Sequence, residues 1–136
     1  MIPNFSLPDQ TSKIHNLKDY KGQWVLVYFY PKDDTPGCVK EACAIRDNFP
    51  AFKKLGIQVF GISADSVKSH AKFAEKYDLP FTLLADEDKK VVKEWGGIAR
   101  TSFLIDPKGK VAKVYEKVKP ETHAEEVLAD LSKLLN

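Results

Sequence analysis

Four short apolar runs, spaced along the chain with helical patterns between them, constrain the fold more than any other feature. Residues 24–30 read WVLVYFY, a continuous run rich in β-branched and aromatic side chains. Such a run reads as a strand buried on both faces, as in a sheet covered by helices. Residues 57–63, 81–85 and 101–105 repeat the pattern. Asp106-Pro-Lys-Gly109 then places Pro and Gly where a tight turn wants them and leads into a further strand at 111–115.

The intervening segments have helical spacing. Over 38–49, Val39, Ala42, Ile45 and Phe49 share a face. Pro50 ends or kinks that helix and opens a short extra turn through Leu55. Residues 66–77 form a helix capped by Ser66 or Asp65, and 88–95 a shorter one. The last helix starts near Thr122, where Thr122-His-Ala-Glu125 has the form of a capping box. Its apolar face is Ala124, Val127, Leu128, Leu131 and Leu135.

Strand–helix alternation closed by a hairpin and a terminal helix implies an α/β three-layer sandwich. The central sheet is mixed, parallel across the crossovers and antiparallel in the 101–115 hairpin. This is the layout of a thioredoxin-like fold. No repeat, low-complexity tract or Gly/Ser linker divides the 136 residues, so 1–136 reads as a single domain. Open sheets of this kind carry their chemistry beyond the carboxyl ends of the strands. The segment after 24–30 is therefore the place to look.

Composition narrows the chemistry. Lys and Arg total 21 against 19 Asp and Glu, interspersed, which leaves no footprint for nucleic acid or a membrane surface. The first residues, MIPNFSLPD, have neither a basic nor an apolar targeting region, and no apolar run approaches a membrane span. A cytoplasmic protein is expected. Only two cysteines are present, Cys38 and Cys43, too few for a disulfide framework or a four-cysteine zinc site. In a reducing compartment a close pair of thiols points to catalysis or metal binding.

Both cysteines fall in PKDDTPGCVKEACAIRD, residues 31–47. Cys38 follows a Pro-Gly turn at the first turn of a predicted helix. Unpaired N–H groups and the positive end of the helix gather there, and both favour a thiolate. Thr35 supplies a hydroxyl three residues earlier. A nucleophile, a hydroxyl and backbone donors in one place suit attack on an electrophile whose leaving group is an oxyanion. A lone cysteine on an apolar helix face is ordinarily a small buried hydrophobe. The turn–helix position and the second thiol set Cys38 apart.

Residues five apart on an α-helix lie about 140° apart around the axis, with Cα atoms roughly 8.5–9 Å apart. A disulfide needs Cα atoms within about 7 Å. Cys38 and Cys43 therefore cannot bond while the helix is intact. Bonding requires the first turns to unwind, which predicts a switch between a folded reduced helix and a locally melted oxidised one.

The pattern Pro31-x3-Thr35-x2-Cys38 resembles the peroxiredoxin active-site motif. The longer string TPGCVKEAC is similar to the bacterioferritin-comigratory, or PrxQ, branch of that family. The resemblance also takes in FSLPD at 5–9, GISADS at 61–66, LLAD at 83–86 and RTSFLID at 100–106. It implies that Cys38 is the peroxidatic cysteine, attacking the peroxide O–O bond and becoming a sulfenic acid. It implies that Cys43 is the resolving cysteine of an intrachain disulfide. Thr35 would hydrogen-bond thiolate and peroxide oxygens, and Pro31 would pack over the pocket and limit water. Arg100 matches the family's distant arginine, which lowers the thiol pKa and stabilises charge on the departing oxygen. Glu41 matches a carboxylate that orients the site. The family usually has a longer Gly- and aromatic-rich segment before the arginine, whereas 94–100 here is abrupt.

The remaining candidates read as structure. Arg46 lies about two turns from Cys38 and suits a salt bridge. His15, His70 and His123 are scattered, with no zinc spacing to the cysteines, and read as surface or capping residues. Trp24 and Trp95 read as core, and the charged run 86–90 as a solvated turn. No Gly-rich phosphate loop is present, and no nucleotide, metal or other cofactor is implied.

The expected activity is a thiol peroxidase acting on hydrogen peroxide and small organic hydroperoxides, with electrons from a thioredoxin-like dithiol partner. An intrachain disulfide needs no second subunit, so a monomer is expected. A general thiol–disulfide oxidoreductase lacks its Cys-x2-Cys pair here. A Cu(I)-delivery module on the same fold would need a well-placed histidine beside the two thiols.

Overall fold

The computed structural model describes residues 4–96 and 100–135. In chain order the elements are β1 (Ser6–Pro8), β2 (Ile14–Asn16), a 3-10 turn (Leu17–Tyr20), β3 (Val25–Phe29), α1 (Pro36–Asp47) and α2 (Phe49–Lys54). There follow β4 (Gln58–Ser63), α3 (Val67–Tyr77), β5 (Thr82–Ala85), α4 (Lys90–Glu94), β6 (Ser102–Ile105), β7 (Val111–Tyr115) and α5 (His123–Leu134).

Five strands form one mixed sheet in the order β5-β4-β3-β6-β7. β4 runs parallel to both β3 and β5, and β6 is antiparallel to both β3 and β7. All five residues of β3 are buried, as its unbroken apolar run requires. Alternation divides them between two cores. Leu26 and Tyr28 face a core with Cys38, Ala42, Ile45, Phe52, Phe73 and Leu131, under α1, α2, α3 and α5. Val25, Val27 and Phe29 face the other, with Phe5, Leu7, Val91 and Trp95 from the N-terminal segment and α4. The result is the α/β three-layer, thioredoxin-like arrangement with a mixed central sheet.

Local signals place most boundaries. Pro36 and Pro50 occupy first-turn positions of α1 and α2, where a missing N–H costs nothing. Ser66 caps α3, its hydroxyl accepting from Ser69 N. In the Asp106–Gly109 turn, Asp106 Oδ1 accepts from the N–H groups of Lys108 and Lys110, and Gly109 takes φ +83°.

Some expectations do not hold. Thr122 flanks α5, but its φ of −119° and ψ of −4° are not the extended geometry of a cap, and its hydroxyl makes no capping bond. The capping box is therefore not formed. Leu135 is 44% exposed, because α5 ends at Leu134 and its buried stripe is Ala124, Val127 and Leu131. The β1–β2 hairpin leaves no signal in the sequence because each strand is three residues long, too short to show a period. The abrupt segment before Arg100 includes 97–99, which lie outside the described residues. Among the described residues, no helix is long and apolar enough to cross a membrane.

Candidate active site

The loop after β3 carries the chain from the centre of the sheet into α1, and Cys38 is the third residue of that helix. The N–H groups of a first turn have no intrahelical partner. Here they belong to Gly37 and Cys38, since Pro36 has none. Cys38 is 1% exposed and Cys43 is half-buried, and both thiols are free. α1 is continuous through both positions, so the helix must open before they can bond.

Arg100 reaches this helix from the far side of the sequence. Its Nη2 lies 3.4 Å from Cys38 Sγ, and its Nη1 donates to Glu41 Oε1 at 3.0 Å. The guanidinium thus spans one turn of α1. Gly37 makes room for it, because a Cβ at Gly37 would collide with Arg100 Nη2. The Arg100 backbone sits at φ +72°, a conformation unfavourable by about 1–2 kcal/mol for a residue with a side chain. Two bonds hold it there. Arg100 N donates to Phe29 O at the end of β3, and Arg100 O accepts from Val118 N. Strain of this kind gathers where a side chain must be aimed.

Glu41 is 1% exposed, and its second oxygen, Oε2, is buried with no hydrogen-bond partner. Burial pushes its carboxyl up to about 7, outweighing the opposing pull of the Arg100 charge and hydrogen bond. Tyr28, also fully buried in this core, has its phenol pushed well above the ordinary value by burial and by the charges of Glu41 and Cys38.

Thr35 flanks α1, and its hydroxyl donates to Lys32 O at 3.0 Å. The proton being committed, the oxygen is left to accept. Pro31 is exposed at the start of the loop. Arg46 pairs with Asp47 at 3.0 Å and donates to Tyr77 O, the structural role its spacing suggested. A cleft of about 860 Å³ bordered by Lys18, Lys21, Lys108 and Lys110 opens at the opposite end of β3, beside Val25, and takes no part in this site.

The three histidines depart most from expectation. All are buried, and each is held by a carboxylate: His15 by Asp9 at 2.7 Å, His70 by Asp33 at 2.7 Å, and His123 by Glu126 at 3.3 Å. Each lies in or beside a short or amphipathic element, where sequence spacing could not show which face was covered. Among the described residues no group of three or more His, Cys, Asp or Glu side chains is placed to hold a metal.

The family model described as AhpC/TSA matches residues 1–114. A protein of Coxiella burnetii assigned as peroxiredoxin bcp is 47% identical over 142 residues, covering 95% of this chain and 94% of its own. A chloroplastic peroxiredoxin Q of Populus jackii is 48% identical over 141 residues, covering 97% of this chain and 66% of its own. Among solved structures, the bacterioferritin comigratory protein of Xanthomonas campestris superposes with TM-score 0.93 at 33% identity, over 97% of this chain and 92% of that one. The peroxidoxin BcpB of Mycobacterium tuberculosis does so with TM-score 0.90 at 35% identity, over 98% and 94%. A match of this reach in sequence and fold, around a Thr-x2-Cys turn met by a remote arginine, places the chain in the AhpC/TSA family, within its peroxiredoxin Q and bacterioferritin-comigratory branch.

Proposed function

We propose that this chain is a cytoplasmic, monomeric thiol peroxidase that reduces hydrogen peroxide and small organic hydroperoxides at Cys38. The observation that carries the reading is the Arg100 guanidinium, 3.4 Å from the Cys38 sulfur at the N-terminal turn of α1. The Cys38 thiolate attacks one peroxide oxygen, an S–O bond forms as the O–O bond breaks, and Cys38 becomes a sulfenic acid while the second oxygen departs as hydroxide or alkoxide. Arg100 and the first-turn N–H groups stabilise that departing charge, and a proton from water completes the water or alcohol. Thr35 accepts a hydrogen bond from the peroxide O–H, and Pro31 borders the entrance. Glu41 holds Arg100 in place.

Cys43 then attacks the sulfenic sulfur. The S–S bond forms, the S–O bond breaks and water leaves. A thioredoxin-like dithiol returns both thiols by exchange. Organic hydroperoxides are included because the Xanthomonas relative is described by its alkyl peroxide reduction. The sequence has two cysteines, both on α1 and able to pair within one chain, which supports the monomer, and so few cysteines suit a reducing compartment. Interspersed charge supports a reading with no nucleic acid or membrane partner.

The test is thioredoxin-coupled peroxide turnover for wild type, Cys38→Ser and Cys43→Ser. Cys38→Ser abolishes reaction with peroxide, and Cys43→Ser consumes about one equivalent and stalls without an added thiol. Undiminished turnover in Cys38→Ser overturns the mechanism.

A further inference from the structure

A second polar cluster lies beneath the Cys38 loop. Asp33, in the loop between β3 and α1, is 7% exposed, and His70 on α3 is fully buried. His70 Nδ1 meets Asp33 Oδ2 at 2.7 Å, and His70 Nε2 meets Leu84 O at 2.9 Å. Tyr30 Oη donates to Asp33 Oδ1 at 2.6 Å, and Ser69 Oγ donates to Asp33 Oδ2 at 2.8 Å. Asp33 N–H donates to Asp65 Oδ2 at 2.8 Å, and Asp65 also accepts from Ser63 Oγ.

Proton counting gives the state of the pair. A carbonyl only accepts, so Nε2 carries a hydrogen. Tyr30 also lies 3.4 Å from Nδ1, but its proton serves the much shorter bond to Asp33. Burial and the Asp33 charge keep that phenol protonated, well above its ordinary range. A second proton must therefore lie between Nδ1 and Oδ2. Two hydroxyls also donate to the Asp33 carboxyl, so both of its oxygens are engaged. His70 and Asp33 are thus a buried pair with every polar atom bonded.

The pair acts on a short stretch of chain. Only 30–35 separate β3 from α1. Asp34, at φ +58°, gives its carboxylate to Lys76 Nζ and Tyr77 Oη, both at 2.8 Å. Both aspartates of the loop are thus bound to α3, and Thr35 and the first turn of α1 follow directly.

We infer that His70 is a positioning residue of the peroxidase, sharing a proton with Asp33 so that Thr35 and the first turn of α1 are held against α3 in the geometry peroxide requires. This rests on the peroxidase reading above. Neither His70 nor Asp33 touches the sulfur, so the effect falls on substrate geometry rather than on the thiol itself.

Asparagine and glutamine separate the two bonds of the ring. His70→Asn places an amide N–H near Nδ1 and keeps the hold on Asp33. His70→Gln places one near Nε2 and keeps only the bond to Leu84. The experiment measures the second-order rate of Cys38 with hydrogen peroxide and, separately, with iodoacetamide, whose attack needs no donors from the loop. His70→Gln should lower the peroxide rate about tenfold, the scale of a small misplacement of reacting groups, and leave alkylation within about twofold. His70→Asn should restore most of the peroxide rate. Nitrogen NMR of the wild-type His70 ring should show hydrogens on both nitrogens, with one lost in Asp33→Asn. If His70→Gln does not fold, Asp33→Asn carries the same two-rate comparison. An unchanged peroxide rate, an equal fall in both reactions, or a singly protonated ring overturns the inference. Failure of the wild type to consume peroxide overturns the peroxidase reading instead.

Discussion

Glu41 and Arg100 form an ion pair that is only half satisfied. Glu41 Oε1 accepts from Arg100 Nη1 at 3.0 Å, whereas Glu41 Oε2 is buried without a partner. An intact α1 therefore holds Glu41 in an environment that resists its charge. Glu41 also lies between Cys38 and Cys43, so any unwinding that joins the thiols carries it towards water.

That placement makes the helix sensitive to pH. The Glu41 carboxyl sits at about 7 in the folded chain, against an ordinary 4.5. The folded helix binds the proton more tightly, so its stabilising effect is complete below about 4.5 and is lost as pH rises through about 7. The difference corresponds to at most about 3 kcal/mol. Urea midpoints measured from pH 4.5 to 8.5 should fall more steeply for wild type than for Glu41→Gln, which stays neutral. Parallel profiles would remove Glu41 as the source.

Gly37→Ala should divide stability from activity. Alanine is the better helix former by about 1 kcal/mol. Its Cβ, however, collides with the Arg100 guanidinium and displaces it from Cys38. The expected result is a melting temperature held or raised, with the peroxide rate at least about tenfold lower, the scale of losing one aligned charged donor. A wild-type rate would show that Arg100 need not lie over Gly37.

Oxidation should melt α1 and little else. Amide exchange at 38–46 should accelerate once Cys38 and Cys43 are joined, because the bond is out of reach of an intact helix. β3 and β4 should keep their protection, since their ladder lies outside the segment that must move. Unchanged exchange in α1 would count against unwinding.

Gly61→Ala tests the packing behind the site. A Cβ there would lie 2.7 Å from the Tyr28 ring and 3.0 Å from Leu83 Cδ2. Overpacking of this kind costs about 1–3 kcal/mol. Denaturant unfolding should show the loss, while Cys38 alkylation in the folded protein stays near wild type. An unchanged midpoint would mean that Tyr28 has room to give.

Much of this was legible along the chain because it depends on near neighbours. The unbroken run at 24–30 marked the central strand, and Pro50 marked the break between two helices, whereas Pro36-Gly37, read as a turn, opens α1. Thr35, Cys38, Glu41 and Cys43 belong to one continuous segment, so the loop hydroxyl and the spacing of the other three along one helix were readable before any fold was known. The same spacing placed the two thiols out of bonding reach.

What the tertiary structure alone decided was which distant groups meet and which faces are covered. Arg100 comes to Cys38 from 62 positions away, aimed by a left-handed backbone fastened to β3. Histidines expected at the surface are buried against carboxylates, and a capping sequence at Thr122 forms no cap. Local sequence carries propensity and period, which act over a few residues. Burial, and with it the raised carboxyl of Glu41 and the buried bond between His70 and Asp33, depends on side chains contributed by remote segments, and those contacts exist only once the sheet has formed.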